Sequence, residues 1–243
     1  MRRSVICRRI AAAAAVTAFA ATGVAYALAS PPKPPASGQV APADSPEMAS
    51  IPQPNTPPAG PAVHEVTAAE LGESWRPGCP VPPEGLRRVD LDYVGPNGNP
   101  ERGSIVVNKD YVDDVITIFG ELRRLNYPIA KMQTVDHYPG AEDELSMQDN
   151  NTSAFNCRPL PGSSSWSLHA YGRAVDINPL TNPYIDGAGD LQPKTARRYL
   201  DRSLSDPQLL HSGDPAVRAF TDRGWRWGGA WRDPVDYQHF EIG

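Results

Sequence analysis

The sequence predicts an α+β domain with a mainly antiparallel sheet and flanking helices, on three observations. An alternating segment runs into a glycine-rich turn and a second apolar run, as a hairpin does. One long stretch then repeats apolar residues at helical spacing. Strands and helices follow one another without the regular strand–helix repeat that marks a parallel sheet.

The elements can be placed in order. Leu86–Val94 (LRRVDLDYV) alternates, meets Gly95-Pro96-Asn97-Gly98, and is followed by Gly103–Val107 (GSIVV). Asn108 is a cap for a helix from about Lys109 to Leu125, with Tyr111, Val115, Ile118, Phe119, Leu122 and Leu125 on one face. Pro128 lies beyond its end, and Ile129–Val135 reads as another strand. Asp214 with Pro215 opens a short helix that stops at Gly224, matching the preference for proline at the start and glycine at the end.

Three segments are expected along the 243 residues. Met1–Ala29 has arginines, an alanine-rich apolar run and the small-residue pattern Ala27-Leu28-Ala29, which together read as a secretory signal. If retained, Ile10–Ala29 is about the ~20 residues of a membrane anchor, the only membrane contact expected. Cys7 precedes the apolar run, the wrong side for a lipid-modified cysteine at a cleavage site. Residues 30–63 form a proline-rich linker that holds eleven of the 27 prolines and little to bury, so ordering entropy goes uncompensated. Residues 64–243 are then one domain, long enough for a single core.

The formal net charge is −5; without Arg2, Arg3, Arg8 and Arg9 the balance is 19 Lys+Arg against 28 Asp+Glu. Nucleic-acid binding rests on basic side chains displacing counterions, so it is not expected. Beyond Cys7 the chain has Cys79 and Cys157, and in an exported protein these are expected to pair.

The chemistry concentrates in Ser165–Asn178 (SWSLHAYGRAVDIN) and Val235–Glu241 (VDYQHFE). His169 and Asp176 are seven apart, an odd offset that a turn at Gly172 makes compatible with a shared site. His239 has Asp236 three residues before it and Glu241 two after it. Two imidazoles and one carboxylate, with a fourth position open, is a catalytic zinc set; structural zinc sites are closed, often by cysteines. His64, His137 and His211 read as ordinary polar residues. Ser163–Ser165 and Ser167 lack a G-x-S-x-G elbow, which disfavours serine hydrolysis. Trp225, Trp227 and Trp231 read as core or as a wall of the cleft, with Gly228 and Gly229 allowing close backbone approach.

The string Ser167-x-His169-x-x-Gly172-x-Ala174-x-Asp176, with Asp236-x-x-His239-Phe240-Glu241 downstream, resembles the VanY-type zinc peptidases. That family joins D-alanyl-D-alanine carboxypeptidases with L-alanyl-D-glutamate endopeptidases. The resemblance covers Asn150–Gly243 and extends more loosely back through the hairpin and helix. It implies the Hedgehog-like fold of the zinc D-Ala-D-Ala peptidases, a zinc cofactor on His169, Asp176 and His239, and peptidoglycan stem peptides as partners. It makes Asp236 the base and Arg158 the arginine beside the substrate carbonyl. Carboxypeptidase members often have Glu where this chain has Asp236, which resembles the endopeptidase branch. Ser167 and Glu241 are expected to support the ligands. Glu241 shares the face of His239 by strand alternation, whereas Asp236 has the wrong parity and is expected on a loop or bulge. Arg173 is expected to be structural. A wall-binding module that keeps the metal but not turnover is the alternative, and the acid at Asp236 favours the enzyme.

Overall fold

A computed structural model describes residues 59–160 and 162–243. The expected signal segment and the linker as far as residue 58 lie outside the described residues. Among the described residues no helix is long and apolar enough to cross a membrane.

The hairpin forms as its pattern dictates. β2 (Leu86–Val94) pairs antiparallel with β3 (Pro100–Asn108) in register from Leu86↔Asn108 to Val94↔Pro100, and β1 (Ala62–Glu65) adds to the free edge of β2. Val89, Leu91, Ile105 and Val107 are buried against α2 (Val112–Arg124), which contributes Val115, Ile118, Phe119 and Leu122. Fully burying a side chain of this size is worth about 1.5–3 kcal/mol. The expected single helix is split: Asn108 does accept a hydrogen bond from the Asp110 amide, but it opens a 3-10 turn (Lys109–Tyr111) that leads into α2. The helix ends with Asn126 in the left-handed region at φ 54°.

Beyond the helix the strands are shorter than the sequence predicts. Ile129–Val135 reduces to β4 (Lys131–Met132), parallel to β5 (Asn151–Thr152). The segment's apolar residues Ile129 and Met132 are buried in the cluster with the hairpin, not in an extended ladder. α1 (Ala68–Leu71) is held by a capping box between Thr67 and Glu70. α3 (Asp143–Gln148) precedes β5, and α4 (Pro215–Thr221) starts at the expected Asp214-Pro215. The other small sheets are β6 (Ala174–Asp176) with β11 (His239–Glu241) and β9 (Arg226–Trp227), and β10 (Val235–Asp236) with β7 (Tyr184–Ile185) and β8 (Leu191–Gln192). The architecture is α+β and mostly antiparallel, but divided among small sheets where one main sheet was expected.

Cys79 and Cys157 form a disulfide across 78 residues. Around it Val66, Leu71, Leu86, Val106 and Phe155 make a second apolar cluster. The Arg76 guanidinium donates to the Cys157 carbonyl at 2.8 Å, and the Cys157 amide to Ser74 at 2.9 Å. Closing a loop of this length lowers unfolded-state entropy by about 4–5 kcal/mol in the chain-entropy model. Cys79→Ser with Cys157→Ser is expected to lower unfolding stability by several kcal/mol, up to about that figure; denaturant titration of both proteins measures it.

Candidate metal centre

β6 and β11 bring the motifs together. Their register sets Asp176 directly opposite His239, so a cross-strand pair supplies two of the three donors. His169 comes from the 3-10 turn Leu168–Tyr171, which starts with Ser167 accepting from the His169 amide at 3.3 Å. Gly172 ends this turn at φ 65°, and a Cβ there would lie 2.5 Å from the Asn108 amide nitrogen. Only glycine lets the turn close on the end of β3 and deliver the chain into β6.

His169, Asp176 and His239 are 3%, 5% and 8% exposed. His169 Nε2 lies 3.1 Å from His239 Nδ1 and 3.1 Å from Asp176 Oδ2, and His239 Nδ1 lies 3.0 Å from Asp176 Oδ1. A tetrahedron with metal–donor bonds of ~2.0 Å has edges of about 3.3 Å, so this spacing fits a small divalent ion. The remaining ring nitrogens agree. His169 Nδ1 is 2.5 Å from the Ala154 carbonyl and His239 Nε2 is 3.3 Å from Glu241 Oε2. Each acceptor takes one N–H and leaves a lone pair on the nitrogen that faces the cluster. The residues therefore fit a zinc ion.

Without metal, the same closeness is relieved by protons. Burial pulls the His239 imidazole down, but the Asp176 and Glu241 carboxylates outweigh it and push it up to about 10. Burial opposes ionisation of Asp176, yet the two histidines hold its carboxyl well below the usual carboxylate range.

Around the cluster lies a cleft of about 210 Å³. Asp236 lines it, half-buried, with Oδ1 enclosed and without a hydrogen-bond partner. It sits neither on a loop nor on a bulge: it belongs to β10, in a different sheet, opposite Tyr184. Tyr237 and Gln238 carry the chain between the two sheets, which cancels the parity argument. Burial pushes the Asp236 carboxyl up to about 7, with His239 and Arg158 opposing and Asp176 and Asp143 adding to the rise. A Cβ on Gly228 would come within 2.7 Å of the Asp236 carbonyl oxygen, so the expected close approach is to β10.

Arg158 also lines the cleft, with its Nη2 2.7 Å from Asp143 Oδ2. Asp143 escaped the sequence reading because it lies in a run of acids (Glu142, Asp143, Glu144) that gives no reason to choose one. Of the tryptophans, Trp225 and Trp227 are core, whereas Trp231 lines the cleft 5.6 Å from the His239 ring. Arg173 lies over the Tyr111 ring at 5.7 Å and is not among the residues that line the cleft. His64, His137 and His211 make local contacts with Asp90, Thr134 and Asp214.

Residues 161–242 match the family model described as D-alanyl-D-alanine carboxypeptidase, a stretch that contains the three donors and Asp236. Over this stretch the chain is similar to that family. No curated protein and no solved structure matches the chain. The matched stretch begins after Arg158, so Asp143 and Arg158 reach the cleft from the preceding part of the fold. Glu241 also belongs to it, its carboxyl lowered chiefly by the hydrogen bond to His239 and helped by Arg226. Glu241→Gln is expected to weaken zinc binding about 10–100-fold, read by competition with a chromophoric chelator.

Proposed function

We propose that this protein is a zinc-dependent peptidase acting on peptidoglycan stem peptides, with the L-alanyl-D-glutamate bond as its preferred target. The observation that carries the reading is the buried His169–Asp176–His239 cluster with an enclosed, unpartnered carboxylate oxygen of Asp236 in the same cleft. The family description, D-alanyl-D-alanine carboxypeptidase, supports peptide hydrolysis; the preference for the endopeptidase bond rests on the resemblance at Asp236 alone.

Zinc held by His169 Nε2, His239 Nδ1 and Asp176 would acidify a water and polarise the scissile carbonyl. Asp236 takes a proton from the attacking water and returns it to the leaving amine, a task suited to a carboxyl whose affinity for protons burial has raised. Arg158 donates a hydrogen bond to the scissile carbonyl oxygen and orients it for attack. Trp231 covers the His239 side of the cleft and limits access of bulk water. The disulfide accords with action outside the cytoplasm.

Mass spectrometry of purified muropeptides incubated with the protein, with and without a chelator, tests this. Fragments cut after L-alanine are expected, and only in the absence of chelator. Release of free D-alanine alone from pentapeptide stems would reverse the choice of bond. Unaltered muropeptides at full zinc occupancy would remove the peptidase reading.

A further inference from the structure

We infer that Asp143 sets substrate specificity by neutralising Arg158, so that the cleft accepts an uncharged stretch of peptide and disfavours a free C-terminal carboxylate; this rests on the peptidase reading above. Arg158 is the one permanent cation among the described residues that line the cleft. The same lining contributes four carboxylates, Asp143, Asp176, Asp236 and Glu241. A peptide ending beside the metal would bring a fifth, and its natural partner would be a guanidinium able to grip it through two parallel hydrogen bonds.

Arg158 cannot offer that grip undivided. Its Nη2 already donates to Asp143 Oδ2 at 2.7 Å, and both side chains are largely withdrawn from solvent, at 27% and 22% exposure. Its Nε is buried without a partner. The backbone fixes the arrangement from both sides. The Arg158 amide donates to Asn156, its carbonyl accepts from Ser167 at 3.1 Å, and the preceding Cys157 is tied to Cys79. With its position fixed and one arm engaged, Arg158 has hydrogen bonds left for a neutral carbonyl oxygen but little net charge for a carboxylate. Asp143 is thus a positioning and specificity residue, acting through Arg158.

The test uses two stem peptides identical except that one ends in a free carboxylate and the other in a carboxamide. Calorimetric titration into the full-length protein gives Kd for each, and hydrolysis is followed in parallel. The wild type is expected to bind the carboxamide more tightly. Asp143→Asn is expected to move the ratio toward the free carboxylate by about 10-fold or more, the scale of one charge-assisted hydrogen bond. Asp143→Glu, which keeps the charge, is expected to preserve the wild-type order. An unchanged ratio in Asp143→Asn, or an equal loss for both peptides, would overturn the inference, as would a wild type that prefers the carboxylate. Hydrolysis with an unchanged ratio defeats this inference alone. The expected ratios without hydrolysis uphold the charge rule and defeat the peptidase reading.

Discussion

Asp236→Asn is expected to keep its full complement of zinc and lose about 10²–10⁴-fold in kcat, the usual range for removing general acid–base help. The substitution preserves shape and leaves the three donors untouched, because Asp236 stands in β10 while the donors belong to β6, β11 and the turn before β6. The pH profile provides a second reading. The base must be ionised, so wild-type kcat/KM rises with pH through the Asp236 titration and flattens above it. Burial places that limb at about 7 in the metal-free protein, and a bound cation draws it lower. The variant should lack the limb altogether. Equal metal content with a smaller loss in Asp236→Asn than in Glu241→Gln would mean that the two acids have exchanged roles.

His169→Ala and His239→Ala are expected to abolish stoichiometric zinc and activity together. Each removes a donor from a three-donor set, and two protein donors are fewer than zinc sites ordinarily use. Metal analysis after gel filtration checks this, and full occupancy in either variant would overturn the ligand assignment. The wild type carries a related pH signature. In the metal-free protein His239 holds a proton up to about 10, so zinc must displace it, and affinity should rise about tenfold per pH unit below that value. The sign for stability is the reverse. The folded value lies above the ordinary 6.5, so the protonated imidazole stabilises the metal-free fold fully below 6.5. That contribution disappears as pH rises through about 10.

The hairpin, the helix after it and the Asp214-Pro215 start were legible because each depends on local pattern and turn chemistry. The strand expected at Ile129–Val135 was not, because apolar residues interspersed with polar ones show that some are buried without showing against what. The clustering of His169, Asp176 and His239 was legible for a different reason: residue identity and the turn at Gly172 survive any error in strand boundaries. Placing Asp236 on a loop failed because alternation was carried through Tyr237 and Gln238, where the chain changes sheet. Asp143 was invisible since its role depends on Arg158, fifteen residues further along and brought to it only by folding.

The pairing of β6 with β11 also fixes when the protein can first be active. His239 follows Asp176 by 63 residues and His169 by 70, so a growing chain that has passed the first two donors still lacks the third. Until the ribosome has added the last strand and that strand has docked, two donors stand beside an unfilled sheet edge. On the peptidase reading proposed above, hydrolysis would therefore have to wait until β11 has been made and has docked. The three candidate donors come together only with that docking, so the site they could offer a metal is a product of folding and not of either motif alone.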